Sequence, residues 1–125
     1  MKQLLLVFFG GGLGSSLRYF ISRYFNDPET GIPYGTFLVN IVGSLLIGAI
    51  LGFALKNEAL SQNQTLLLAT GFCGGFTTFS AFAYENHLFL RSGNLGLSIG
   101  YTVLSIVLGI LAVYFGVYIV RHLEI

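Results

Sequence analysis

The sequence predicts an all-α membrane protein with four transmembrane helices, filling a single domain over residues 1–125. Three observations predict it. Of the 125 residues, 54% are hydrophobic and 9% charged, against about a quarter charged in an ordinary soluble domain. Mean hydropathy is +0.80. Three stretches, 35–55, 59–84 and 92–120, hold no Asp, Glu, Lys or Arg, and each exceeds the roughly 20 residues a helix needs to cross a bilayer.

The first span is predicted at about residues 3–25. Its charge-free part, 3–17, is short, and continuing to Phe25 takes in Arg18 and Arg23. Arg23 falls at the interface, whereas Arg18 snorkels or faces a wet cavity. No small-residue cleavage site follows, so the segment reads as a span rather than a secretory leader. Asn26-Asp27-Pro28 ends it, because proline disfavours helix at the preceding residue. The second span, at about 35–56, starts just after Pro33. The third, at about 63–91, has Ser61 or Asn63 as its cap and closes at Ser92-Gly93-Asn94. The fourth covers about 95–121.

The short connections leave no residues for a catalytic, nucleotide-binding or nucleic-acid-binding domain. His87, His122 and Cys73 show no metal-ligand spacing, and one cysteine forms no internal disulfide. An enzyme is not expected.

The third span departs from an ordinary apolar helix. Residues 71–82 read GFCGGFTTFSAF, with three glycines, two adjacent threonines and four phenylalanines. Hydrocarbon tolerates broken backbone only where protein or water receives the freed polar groups. The expectation is a helix broken mid-span, with 71–77 supplying the break and Thr77 or Thr78 capping a new half-helix. On that half-helix Thr78, Phe82, Glu85 and Phe89 share a stripe, with Phe79 one turn from Phe82. Phenylalanine edges carry partial positive charge, so converging edges can hold a small anion. Glu85 is either a span-end residue reaching the interface or a functional acid.

The second span carries Thr36, Asn40, Ser44, Gly48 and Gly52, each four residues after the last, and therefore on one face. Packing of small residues explains the last three. Asn40 is different, because an amide in hydrocarbon needs partners or water. The fourth span repeats the spacing with Tyr101, Ser105 and Gly109, where serine back-bonding is the simpler explanation. Gly10 and Gly14 form a GxxxG pair suited to close helix packing.

With four spans, Lys2, Lys56 and Arg121 share one side of the membrane. Arg23 and Arg91, with Arg18 as a third, share the other. Orientation follows the Lys/Arg bias of short loops, and here that bias nearly vanishes. The balance points to dual topology and an antiparallel homodimer, since four helices enclose too little space for a pathway.

GFCGGFTTFSAF followed by Glu85, GTFLVNIVGS at 35–44 and GGGLGSSLRY at 10–19 resemble the signature of the Fluc (CrcB) fluoride channels. The likeness extends over the whole chain. It implies a small antiparallel homodimer with two pores, conducting fluoride passively out of the cell across a prokaryotic plasma membrane. It also implies a structural sodium ion at the dimer centre, held by backbone carbonyls at Gly74 and Thr77. By the same resemblance Phe79 and Phe82 are pore phenylalanines, and Asn40 and Thr36 are pore residues. Tyr101 and Ser105 belong to a polar track with Glu85 beside it, and Arg18 lines the vestibule. Gly109 and Ala81 stand where many relatives carry hydroxyls, so the track is expected to be shorter here. The alternative class is a small dual-topology, proton-coupled multidrug exporter. Such transporters use a carboxylate in the first span, and here that span has Arg18 and no acid.

Overall fold

The computed structural model describes residues 1–56 and 58–123, and these are almost entirely helical. Helix α1 is Lys2–Phe25 and α2 is Tyr34–Leu55. The third span comprises α3 (Gln62–Thr65), a π-helical segment (Leu66–Cys73), α4 (Gly74–Phe76) and α5 (Phe79–Arg91). Helix α6 is Leu95–His122. Among the described residues, four helical spans are long and apolar enough to cross a membrane.

Side-chain caps and glycine turns define the corners. Asn26 Oδ1 accepts from the backbone N–H groups of Gly35 (2.8 Å) and Thr36 (3.1 Å), capping α2 from the end of α1. Pro33 precedes α2 without a side-chain cap of its own. In the turn between them, Asp27 accepts from the Thr30 hydroxyl (2.8 Å) and the Glu29 N–H (2.9 Å). These two bonds hold its carboxyl below the ordinary carboxylate value.

Ser61 and Gln64 form a reciprocal capping box at the start of α3. At the end of α5, Gly93 takes a positive φ of 77°. Its N–H bonds to Leu90 O, and the Asn94 N–H reaches Phe89 O at 2.8 Å. This is a Schellman closure, in which glycine avoids the Cβ penalty of the left-handed region. Lys56 Nζ donates to Val120 O (3.0 Å) and to Leu123 O, capping the C-terminus of α6 from the end of α2.

The spans pack as two close pairs. Helix α1 lies against the π-helical segment and α4, while α2 lies against α6. Glycine makes both approaches possible. A Cβ at Gly14 would collide with Phe72 O and stand 2.8 Å from the Phe76 nitrogen. A Cβ at Gly48 would collide with Val113 O, and one at Gly116 with Leu45 O. The interior is correspondingly thin, with Val39, Ala69, Cys73, Phe76, Phe89 and Val120 its buried apolar side chains. The exposed Leu, Ile, Val and aromatic residues face outward, as lipid-facing helices require.

The glycines of the third span do not themselves interrupt it. Residues 66–76 remain helical, and backbone turns extended at Thr77 (φ −87°, ψ 158°) and Thr78 (φ −150°, ψ 118°). Gly71 and Gly75 instead serve the contact with α1. A Cβ at Gly75 would meet Gly11 O, and one at Gly71 would lie 3.1 Å from Gly10 Cα.

Candidate functional site

The extended pair at Thr77–Thr78 is held by one side chain from α2. Asn40 Oδ1 accepts from the Thr78 N–H at 2.7 Å, and Asn40 Nδ2 donates to Thr78 O at 3.1 Å. An asparagine amide is suited to this, because it offers a donor and an acceptor side by side. The Thr78 hydroxyl then accepts from the Ala81 N–H at 3.2 Å and starts α5.

These exchanges of partner release carbonyls, those of Gly74 and Thr77 among them. In an unbroken helix Gly74 O would accept from the Thr78 N–H, and Thr77 O from the Ala81 N–H. Both donors are engaged by side chains instead. Phe76 O likewise loses its helical donor, the Ser80 N–H, which lies in the first turn of α5, whereas Cys73 and Gly75 have other partners. Cys73 O accepts from the Thr77 N–H (3.0 Å) and hydroxyl (2.9 Å). Gly75 O accepts from Arg18 Nε at 2.9 Å and Ser15 Oγ at 3.4 Å. Gly74 is exposed. The chemistry therefore suits a hard cation, which prefers neutral oxygen ligands such as carbonyls left by unwound helix. Gly74 and Thr77 are the residues that fit it.

Beside this break lies an open cleft of about 340 Å³, and Asn40, Gly74, Thr77, Phe79, Phe82 and Ser105 all line it. Six of the residues singled out from the sequence thus meet in one place. Phe79 is 79% exposed, so its ring stands at the open side of the cleft and not in a packed core. Its centroid is 5.7 Å from that of Phe82. Ser105 Oγ is buried and has no hydrogen-bond partner among the described residues. A buried hydroxyl normally finds a partner, and this one lines the cleft. Ser44, in contrast, donates back to Asn40 O at 2.6 Å.

Phe82 connects the cleft to a second polar cluster. Its ring meets Tyr101 edge-on at 5.1 Å, and Phe89 meets the same tyrosine at 6.0 Å. The Tyr101 hydroxyl donates to Glu85 Oε1 at 2.9 Å, and the Thr36 hydroxyl donates to Oε2 at 2.6 Å. Asn26 Nδ2 donates to Thr36 Oγ1 at 3.3 Å. Thr36, Glu85 and Tyr101 therefore form one unit, one helical turn away from Asn40. The four-residue stripe of α2 splits by partner. Thr36 and Asn40 serve the half-helix α5, while Gly48 and Gly52 serve α6.

Arg18 stands apart from this cleft, with its guanidinium on Gly75 O. Gly109 faces Ser44, whose oxygen lies 3.8 Å from where a Cβ would sit. Two features escape sequence reasoning. Asn26 reads only as a helix end, though Asn-Asp-Pro is also an Asx-type capping signal. Asn86 carries no signal at all. It joins α5 to α6 by accepting from Ser98 (2.9 Å) and Thr102 (3.1 Å).

Comparison with known proteins agrees with the geometry. The model of the CrcB-like protein family, Camphor Resistance (CrcB), matches residues 5–117. The chain belongs to the CrcB family. Within it, the fluoride-specific ion channel FluC of Gloeothece citriformis is 48% identical over 123 residues, covering 98% of this chain and 99% of its own. FluC of Flavobacterium psychrophilum is 43% identical over 124 residues, covering 98% and 100%. FluC of Leptospira interrogans is 42% identical over 122 residues, covering 97% and 96%. As a CrcB-family chain with four spanning helices, it is a multi-pass membrane protein.

Proposed function

We propose that this chain is a fluoride-selective channel that exports fluoride passively across a bacterial plasma membrane and so relieves fluoride toxicity. The observation that carries the reading is the mid-span cleft. There an asparagine amide, an unpartnered serine hydroxyl and two phenylalanine rings converge, in a chain similar end to end to channels named fluoride-specific.

Fluoride is small and strongly hydrated, so a pore must replace its water with donors. Asn40 and Ser105 supply neutral donors, and Phe79 and Phe82 supply positive ring edges. None adds a full positive charge that would trap the ion, and conduction needs binding that is favourable yet escapable. At the next step of the path in this reading, the Tyr101 and Thr36 hydroxyls both donate to Glu85.

The working unit in this reading is an antiparallel homodimer with dual topology and two pores. Balanced charges at Lys2, Lys56 and Arg121 against Arg18, Arg23 and Arg91 support it. At its centre a structural sodium would be held by the Gly74 and Thr77 carbonyls of both copies, fixing the two breaks against each other. Arg18 would line the vestibule from its seat on Gly75 O. The exporter alternative finds no support, because the first span carries no carboxylate.

Efflux from liposomes holding the purified protein tests the function. Rapid, electrically driven fluoride loss with little chloride loss is expected, and no fluoride flux would sink the proposal. Phe79→Ala or Phe82→Ala should lower flux about tenfold, the equivalent of a ring-edge contact of about 1.4 kcal/mol. Dimer content should not change, and undiminished flux in both variants would reduce the rings to packing. Exchanging sodium for a large organic cation should weaken the dimer or its flux. Indifference to the exchange would remove Gly74 and Thr77 as cation ligands.

A further inference from the structure

Half-helix α5 is cut off from the helix before it. The backbone is extended at Thr77 and Thr78, so no continuous run of helical bonds fixes how α5 is turned about its own axis. The Asn40 clamp holds only its start, at Thr78. Further along, Phe89 is its buried side chain, and apolar contact is non-directional. Hydrogen bonds have preferred angles, and they supply the directional hold.

Two sets of such bonds reach α6. Glu85 Oε1 accepts from the Tyr101 hydroxyl at 2.9 Å. Asn86 Oδ1 accepts from the Ser98 hydroxyl (2.9 Å) and the Thr102 hydroxyl (3.1 Å). Successive helical residues point about 100° apart, so the two sets pull from different directions and oppose rotation of α5. Either set alone would leave it free to swivel. The Asn86 amide makes a further bond, because its Nδ2 donates to Phe82 O at 3.1 Å. The reversed amide would set Oδ1 against that carbonyl oxygen, so the partners fix its placement. Through Asn86, α6 therefore grips the peptide of Phe82 itself. The ring of Phe82 meets Tyr101 edge-on at 5.1 Å and lines the mid-span cleft, which Asn86, Ser98 and Thr102 do not.

We propose that Asn86 is a positioning residue for conduction: bonded to Ser98 and Thr102, it sets the rotation of α5 that aims the Phe82 ring edge into the ion path. The proposal rests on the channel reading above. A bridge that only packed two helices together would lower flux whether or not the Phe82 ring were present. A bridge acting through Phe82 has nothing left to aim once that ring is gone.

Fluoride efflux from liposomes is measured for Asn86→Leu, and for Ser98→Ala and Thr102→Val made together, each in wild type and in Phe82→Ala. Asn86→Leu removes the amide, whereas the paired change removes the same inter-helix bonds and leaves Asn86 in place. In the wild-type background each is expected to lower flux about tenfold, the factor expected for the ring edge itself. In the Phe82→Ala background neither should lower it further, because sites that act as one unit are not additive. Equal fold-losses in the two backgrounds would overturn the proposal and leave Asn86 a packing residue. Unchanged flux in Asn86→Leu would also overturn it, as would a Phe82→Ala protein that conducts as wild type does. If either variant fails to fold, Thr102→Val alone removes a single hydroxyl and should show a smaller loss, again only where Phe82 is present. A wild type without flux would overturn the channel reading instead, a result distinct from all of these.

Discussion

Asn40→Ala is expected to abolish measurable fluoride flux and to destabilise the protein by about 1–3 kcal/mol, the cost of a main-chain group left without a partner. That group is the Thr78 N–H, because Thr78 O, which also accepts from Asn40 Nδ2, is the N-cap carbonyl of α5 and keeps its first helical bond. The same change removes an amide from the cleft wall. Asn40→Asp separates the two effects. It keeps an acceptor for the Thr78 N–H but sets a carboxylate against Thr78 O and a negative charge in an anion path. Asn40→Asp is expected to be less destabilised in a thermal melt than Asn40→Ala, yet equally silent in liposome efflux. An alanine variant that melts and conducts as wild type does would show that Thr77–Thr78 needs no clamp.

Gly14→Leu should be lost before it reaches any assay of flux. A Cβ at this position runs into Phe72 O, with the Phe76 nitrogen at 2.8 Å. Both obstacles are backbone and cannot rotate away. Overpacking against movable side chains costs about 1–3 kcal/mol, so against fixed helix the loss should be at least about 3 kcal/mol. Gly12, on the same helix, offers open space: among the described residues nothing lies within 4 Å of where its Cβ would sit. Gly12→Ala is therefore expected to be neutral or to gain a few tenths of a kcal/mol from reduced backbone freedom. Yield and melting temperature of the two variants, side by side, check the pair. Equal stability would mean that α1 does not seat against the third span as described.

The four spans were legible because charge-free runs of sufficient length leave few other options. Asn40 was also legible, since an amide at that depth demands a partner. The partner itself was not. Spacing of four assigns Thr36, Asn40, Gly48 and Gly52 to one face, yet the first two serve α5 and the last two serve α6. A helical face drifts slowly, and periodicity says nothing about where one neighbour ends and the next begins.

The glycines of 71–77 misled for a related reason. Glycine permits both broken backbone and close approach, and composition alone does not distinguish them. Here Gly71 and Gly75 take the close approach to α1, while the extended residues are threonines. Arg18 on Gly75 O, and Asn86 beneath Ser98 and Thr102, depend on contacts across helices that no local pattern encodes. The family resemblance added the identity of the ion, which physical reading of the chain could not supply.

The clamp on Thr78 also bears on how the protein is made. A third span threading alone into lipid would carry the unpaired peptide groups of its extended residues into hydrocarbon, where each is strongly disfavoured. Asn40 lies 38 residues earlier in the chain, so it reaches the bilayer first. The nascent third segment thus meets a waiting amide, and its insertion depends on the second helix remaining nearby. By this physical argument the second helix is expected to act as a template for the third during synthesis.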